Sequence, residues 1–281
     1  MTGPVQTGYA PPSGPPSQPT HGWPRWLIVV VVLWALLLAA LTWVSVRDDG
    51  PTVREQRSLT QAGPVVDRAV GELVAAAGDR VVALEPDRIE HGCRVTPLLD
   101  GATLERGVEV LDPGADPRTV LTQIADRLPA GWLAGVRVTG EGPRLRADAG
   151  EFVLVVGRPA GDGRIRLTVR TGCRPIGDGY RAPAAQAGPE ADALAAALRT
   201  FGYPPTPPTQ QIAAPCPGAN RQARTARLTL DPAPAEPPRG LTPAAGDTVL
   251  LDTPEVYAYR HATVTIALTG PHLTATTPCT P

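Results

Sequence analysis

The sequence contains no lysine: all 26 of its basic residues are arginines. This absence excludes a Schiff-base lysine, a lysine general base and the lysine of a phosphate-binding loop. The formal net charge at pH 7 is −1, so the chain lacks the positive excess that is typical of nucleic-acid-binding proteins. We therefore expect no nucleic-acid partner.

Serine and aromatic residues are also scarce. Ser58 is the only serine after residue 46, and no G-x-S-x-G motif occurs, which argues against a serine hydrolase. The glycines Gly157, Gly161 and Gly163 stand between two predicted strands, whereas a dinucleotide-binding fingerprint must open a helix. We read them as a hairpin turn, and we expect no catalytic residues and no cofactor.

One apolar run, Trp26–Val46, holds no charge, glycine or proline over 21 residues. A helix of this length crosses a hydrocarbon layer of about 30 Å. Trp26 and Trp43 are roughly 25 Å apart along such a helix, close to the spacing of the two interfaces that tryptophan prefers. The run predicts a transmembrane signal-anchor helix with the bilayer as its partner. A cleaved signal peptide is the alternative. Signal peptides, however, have a shorter apolar run than this one, and a small-residue cleavage site follows that run, whereas no good A-x-A site follows Val46.

The arginines that flank this run, counted alone, would put its C-terminal side in the cytoplasm, but two other observations argue for the opposite orientation. Arg25 precedes it, whereas Arg47, Arg54 and Arg57 follow it among three acidic residues. Long domains translocate largely regardless of charge, and the cysteines indicate an oxidising compartment. We predict a single-pass protein of the cell membrane, with a cytoplasmic N-terminus and an extracytoplasmic C-terminal region. Residues 1–25 are rich in Pro, Gly, Ser and Thr, which predicts a disordered cytoplasmic tail.

A pattern repeats after residue 64. LTVRTGCRP at 167–175 matches LTATTPCTP at 273–281 at five of nine positions. Each copy runs from a helical segment through a glycine and a cysteine to a Leu-Asp-Pro sequence, and then to a closing cysteine. This shared order predicts an internal repeat.

The local patterns predict helices and strands within this repeat. Helical periodicity covers 65–77, 117–128 and 190–201, and Asp116-Pro117 has the form of an N-cap and a first turn. Strands are predicted at 81–84, 108–111, 133–138, 152–157, 164–171, 225–230, 248–251, 256–259, 263–268 and 272–276. RIRLTVRT at 164–171 alternates apolar and polar residues, as in an antiparallel strand with one buried face.

The fold prediction is α+β: a single transmembrane helix followed by two tandem related units, each a helix with an antiparallel sheet. The predicted divisions are a tail at 1–25, the anchor at 26–46, a juxtamembrane linker or helix at 47–64, unit 1 at 65–180 and unit 2 at 181–281.

Four cysteines, Cys93, Cys173, Cys216 and Cys279, allow three disulfide pairings. Equivalent copies would pair Cys93 with Cys173 and Cys216 with Cys279. Each bond would add roughly 4 kcal/mol by the chain-entropy estimate. A zinc site usually needs close ligand pairs, and a catalytic thiol needs an unpaired cysteine with a histidine partner. We therefore expect no metal site.

The remaining polar candidates are weak. The carboxylate pairs Asp112 with Asp116 and Asp162 with Asp178 lie near predicted turns, where turn and cap roles explain them. Tyr257, Tyr259 and His261 alternate along one predicted strand, so they share one side of it. We predict this polar-aromatic face as a contact surface, with a solvated strand face as the plain alternative.

These observations favour a non-catalytic binding or envelope-organising module, with an envelope protein or polymer as its partner. Two alternatives stay open. One is an extracytoplasmic carboxylate-dependent hydrolase, which needs two acidic side chains about 5–10 Å apart in a cleft. The other is a transmembrane signalling subunit that is read through the Pro-rich tail.

Overall fold

The computed structural model describes residues 25–48, 57–218, 220–234 and 246–279, without the side chains of 44–48. Residues 1–24 of the predicted tail and residues 49–56 of the predicted linker therefore lie outside the described residues. The first helix, α1, spans Arg25–Asp48. In the described part of the chain it alone is long and apolar enough to cross a membrane, a property that a signal sequence near the N-terminus shares.

The remainder is α+β and contains two six-stranded antiparallel sheets. The first sheet, sheet A, has the strand order β1-β2-β6-β5-β4-β3. Its strands are β1 Val81–Thr96, β2 Leu99–Leu111, β3 Gly135–Thr139, β4 Gly142–Asp148, β5 Val153–Gly161 and β6 Arg164–Thr171. Helix α2 (Leu59–Ala77) precedes this sheet, and α3 (Pro117–Arg127) connects β2 towards β3.

The second sheet, sheet B, has the strand order β7-β8-β12-β11-β10-β9. Helix α4 (Glu190–Thr200) precedes it. Its strands are β7 Gln210–Pro215, β8 Gln222–Thr229, β9 Thr248–Asp252, β10 Val256–His261, β11 Val264–Thr269 and β12 His272–Thr277. The order of the six strands is thus the same in both sheets, counted from the first strand of each.

Alternation along the strands decides which face each helix covers. In β6, Ile165, Leu167 and Val169 are buried in the core beneath α2 and α3, as the period of two predicts. In sheet B the corresponding core lies under α4 and includes Leu194, Leu228 and Leu273. Each sheet therefore has one helix-covered face.

The two sheets contact each other through the first residues of β1, an edge strand of sheet A. Val82 and Leu84 face the core beneath α2, whereas Val81 packs on the other side against Val256 and Ala258 of sheet B. The backbone N–H of Leu84 donates to Thr225 Oγ1 of β8 over 3.0 Å. Because both faces of this segment are buried, the sheets belong to one compact unit.

Helix α2 also lies against sheet B. A Cβ atom placed on Gly71 would stand 1.8 Å from the carbonyl oxygen of Pro215, at the end of β7. A side chain does not fit there, so glycine lets the helix backbone approach the strand. The core beneath α2 accordingly includes Ile212 and Ala214 of β7.

Both predicted disulfides are present. Cys93–Cys173 and Cys216–Cys279 close loops of 80 and 63 residues. Each bond joins the first strand of a sheet, or the residue just after it, to a residue just after the last strand. Cys216 and Cys279 lie in the core beneath α2, whereas the first bond is half-buried.

Several predicted boundaries need correction. Helix α2 begins at Leu59 instead of residue 65, where the predicted helical periodicity starts, and Pro64 lies inside the helix. Ser58 and Gln61 form a capping box that starts the helix earlier. The strands β4 and β7 were not predicted, and β1 and β2 extend well beyond 81–84 and 108–111 as a long hairpin.

Candidate functional site

A cleft of about 470 Å³ opens where the helix-free faces of the two sheets meet. Sheet A contributes residues of β1, β2, β5 and β6, and sheet B contributes residues of β8 and β12 together with the start of β7. Its charged lining contains more arginines than carboxylates. The arginines are Arg88, Arg106, Arg158, Arg166 and Arg227, and the carboxylates are Glu85, Asp87 and Glu105.

The register of sheet A brings several of these side chains to one face. Glu109 lies opposite Arg166 on the neighbouring strand, and Arg166 lies opposite Arg158 on the next. Residues directly opposite each other in a sheet project to the same side. The polar half of RIRLTVRT therefore forms one wall of the cleft.

Glu85 reaches Arg166 by crossing over β2 at Gly107. Glu85 and Gly107 are partners in the register of β1 and β2, and a Cβ atom on Gly107 would stand 2.3 Å from Glu85 Oε2. The absence of a side chain at 107 leaves the space that the Glu85 carboxylate occupies. Arg166 Nε donates to Glu85 Oε1 over 2.9 Å, so one of the arginines in the cleft is internally paired.

The opposite wall comes from β8 and β12. Thr229 lies opposite His272, and Arg227 lies opposite Thr274. The pKa of His272 is lowered by burial first and then by the charges of Arg227 and Arg164. These causes favour the neutral imidazole, and two of them are arginine charges, one from each sheet.

Beneath the cleft, Arg106 is buried in a polar cluster. Its Nη1 donates to Asp67 Oδ1 of α2 over 2.5 Å, and its Nη2 donates to the carbonyl oxygen of Ala213 in β7 over 2.8 Å. Tyr180 donates its hydroxyl to the same Asp67 oxygen over 2.6 Å. Burial raises the pKa of Asp67, although Tyr180 and Arg106 oppose the shift.

Glu109 lies on β2 opposite Arg166, and four charged residues act on its carboxylate. Its pKa is raised by burial and then by Glu85, and it is lowered by Arg164, Arg166 and Arg227. Arg164 Nη1 approaches Glu109 Oε1 to 3.7 Å. Arginines from both sheets thus act on one carboxylate, which shows how close the two walls come.

A second cavity, of about 340 Å³, lies beside α4. It is lined by Tyr259 and His261 together with apolar residues such as Ala193, Val264 and Ile266. His261 Nδ1 and Asp247 Oδ1 are 2.5 Å apart.

The predicted contact residues divide between this cavity and the core. Tyr257 is 1% exposed and packs edge-on against Phe201, and Tyr259 is 6% exposed. These two tyrosines belong to the core beneath α4, so they do not form an open strand face. The His261 side chain is 60% exposed, so it is the member of the set that solvent reaches freely. A contact role for Tyr257, Tyr259 and His261 stays a prediction.

The carboxylates considered for acid–base chemistry have structural partners. Asp112 accepts from Arg80 over 2.8 Å. Asp116 caps α3 by accepting from the backbone N–H of Thr119 over 2.9 Å, and these hydrogen bonds lower its pKa. Asp162 lies 3.2 Å from Arg164 in the hairpin turn between β5 and β6. Within the described ranges, no three His, Cys, Asp or Glu side chains come together as metal ligands.

Sequence reasoning identified one wall of the cleft but not the cleft itself. Arg164 and Arg166 belong to the predicted polar face of β6, and the alternation Thr225, Arg227, Thr229 in β8 carries the same signal. What the sequence did not reveal is that the two polar faces meet. That arrangement depends on the packing of β1 against sheet B, which alternation within single strands does not report.

No protein-family model, curated protein or solved structure matches this chain.

Proposed function

We propose that this chain is a single-pass membrane protein whose extracytoplasmic domain binds a ligand or partner without catalysing a reaction. The observation that carries the proposal is the cleft between the sheets, because both units build it. Its walls come from the polar faces of β6 and β8, one strand from each sheet. A surface assembled by two units is suited to binding, and its charged side chains supply orientation.

The anchor and the disulfides support the location. Helix α1 has the length and composition of a membrane span. Two disulfides form in the domain that follows it, and such bonds persist in oxidising compartments outside the cytoplasm. Together they favour α1 as the tether and 57–279 as the extracytoplasmic part.

The two sheets further support an origin by internal duplication. Beyond the shared strand order, each Leu-Asp-Pro sequence contacts the turn before the last strand of its own sheet. Asp112 N donates to the carbonyl oxygen of Gly163, and Leu230 N donates to that of Pro271. Each helix also pairs a carboxylate with an arginine of the second strand, Asp67 with Arg106 in one copy and Glu190 with Arg224 in the other. The cleft then arises at the junction between the copies.

Cysteine labelling in intact cells tests the location. Leu98, at the tip of the β1–β2 hairpin, is 99% exposed, so Leu98→Cys presents a thiol without disturbing the core. A membrane-impermeant maleimide should label Leu98→Cys in intact cells, and it should label Ser13→Cys in the N-terminal tail only after lysis. The reverse pattern, or recovery of the domain without detergent, would contradict the proposal.

Photo-crosslinking tests binding at the cleft. A photoreactive residue in place of Thr229, which lines the cleft, should give a discrete adduct in intact cells. The matched control is Val138 on β3, which is 62% exposed and outside the cleft lining. Equal adducts at both positions, or none at Thr229, would count against a binding site in the cleft.

A further inference from the structure

The charges that line the cleft fall mostly into pairs. Glu85 forms a salt bridge with Arg166, and Asp67 of α2 forms one with Arg106. Arg88 Nη1 lies 4.0 Å from Glu90 Oε1, and Arg88 is also opposite Glu105 in the register of β1 and β2, where opposite charges attract across strands. Asp87 acts on Asp67 and Tyr180, at the α2 side of the cleft, and Glu109 is 3.7 Å from Arg164.

Two arginines remain without such a partner. Across the described ranges, neither Arg158 of β5 nor Arg227 of β8 forms a side-chain hydrogen bond or salt bridge, although the charge of Arg227 lowers the pKa of Glu109. Each guanidinium presents five N–H donors in a fixed plane. Arg227 is also half-buried, so its donors are partly withdrawn from water.

Arg158, which is exposed, has a second arginine as its neighbour across the sheet. It lies directly opposite Arg166, and like charges at opposite positions of a sheet repel. Glu85 neutralises only one of these two arginines, since it accepts a hydrogen bond from Nε of Arg166. An anion between the strands would relieve this repulsion and would use donors that the protein leaves open.

We propose that the cleft binds a polyvalent oxyanion, held between Arg158 and Arg166 of sheet A and Arg227 of sheet B. The proposal rests on the cleft as the binding site of the proposed function, and it adds the chemical class of the ligand. Guanidinium groups bind the paired oxygens of phosphate and carboxylate groups by two parallel hydrogen bonds. Thr168 and Thr229, which also line the cleft, supply neutral hydroxyl donors from the two walls.

Calorimetric titration of the full chain tests the proposal. The protein is placed in nanodiscs of phosphatidylcholine and titrated with inorganic triphosphate. We expect saturable binding that Arg158→Gln and Arg227→Gln each weaken about tenfold, the loss of one charge-assisted contact. Arg158→Gln should melt at the parental temperature and Arg227→Gln close to it, because neither arginine has a side-chain hydrogen bond or salt bridge to lose and Arg227 acts on Glu109 only through its charge.

Two further variants separate a site from general charge attraction. Arg137 lies opposite Arg144 on β3 and β4, and Arg144 pairs with Glu141, which reproduces the pattern of Arg158, Arg166 and Glu85 outside the cleft. Arg137→Gln should leave the affinity within about twofold. Glu85→Gln removes the carboxylate that competes for Arg166, so it should strengthen binding several-fold.

Nanodiscs with phosphatidylglycerol distinguish a lipid headgroup from a soluble anion. If the headgroup occupies the cleft, this lipid lowers the apparent affinity for triphosphate in the parent and not in Arg227→Gln. The absence of triphosphate binding, or an equal loss in Arg137→Gln, would overturn the inference. If the Thr229 adduct nevertheless forms in cells, the cleft binds a ligand of another class and the proposed function stands.

Discussion

Arg106 of β2 and Asp67 of α2 form a buried ion pair, with Nη1 and Oδ1 2.5 Å apart and the arginine side chain 1% exposed. The same guanidinium donates to Ala213 of β7. One side chain of sheet A therefore joins the helix that covers its own sheet to the first strand of the other. The pair lies directly beneath the cleft and fixes the contact between the two units.

Breaking this pair from its two ends should give unequal losses. Asp67→Asn leaves a buried guanidinium that does not lose its proton, and we expect the free energy of unfolding to fall by about 3–5 kcal/mol. Arg106→Met should cost less, because the Asp67 carboxyl, whose pKa burial already raises, can take up a proton. Chemical denaturation of both variants at neutral pH measures the difference.

The pH dependence of Arg106→Met provides the control. Without Arg106, the folded state holds the Asp67 proton more tightly than the unfolded state does, so stability falls as the pH rises through the interval between the two pKa values. Lowering the pH towards about 5 should therefore recover part of the loss in Arg106→Met and little of it in Asp67→Asn. Equal losses that do not depend on pH would contradict this account of the pair.

Gly71 should tolerate no side chain. In Gly71→Ala the new methyl group meets the Pro215 carbonyl oxygen, a backbone atom held in β7, so helix and strand must separate. We expect a loss of about 3 kcal/mol or more, at the upper end of overpacking effects. Gly172→Ala, where a Cβ atom meets nothing within 4 Å, should stay within about 0.5 kcal/mol of the parent. Thermal unfolding of the two variants compares them, and similar melting temperatures would rule out the close approach.

The disulfides should differ in what their removal costs. The chain-entropy estimate for loops of 80 and 63 residues differs by only about 0.2 kcal/mol, so loop length predicts near equality. Burial separates them: Cys216 and Cys279 are 6% and 9% exposed, and their replacement by alanine also leaves a cavity in the core beneath α2.

We expect the Cys216/Cys279 double alanine variant to lose more stability than the Cys93/Cys173 variant, with each loss in the range of about 2–5 kcal/mol. Denaturant titrations of the two variants give both values. An equal or larger loss for Cys93/Cys173 would show that the core around α2 closes over the missing sulfurs.

Local patterns predicted individual elements well, for physical reasons that lie within short segments. The structure confirms the strand at 164–171 residue for residue, because strict alternation with turn residues before it leaves little other choice. It also confirms Asp116 as the N-cap of α3. The pairing of the cysteines followed from the order of landmarks in the two copies, which preserves the connection of first and last strands.

Elements that depend on distant partners were missed. Strand β7, QQIAAP, has no clear alternation, and Ile212 and Ala214 are buried because α2, more than 130 residues earlier in the sequence, covers them. Tyr257 and Tyr259 have polar hydroxyls and alternate as a surface face would, yet α4 covers them. The cleft has the same origin, since it exists only where two sheets meet.

Protonation of Glu109 should stabilise the domain in mildly acidic solution. Its pKa is raised from the ordinary 4.5 by burial and by Glu85, so between the unfolded and folded pKa values the folded state binds more protons. Stability must then fall as the pH rises through that interval.

Glu109→Gln removes the titration and keeps the shape, so unfolding free energies measured from about pH 4.5 to 7 should show a smaller decline. At neutral pH the variant should be more stable by up to about 1 kcal/mol, because relief of the buried charge outweighs the loss of a 3.7 Å contact with Arg164 and of the attraction to Arg166 and Arg227. Glu90→Gln, on the exposed part of β1, makes the same change in net charge and should preserve the parental decline; if it flattens the curve equally, overall charge and not the buried carboxyl is responsible.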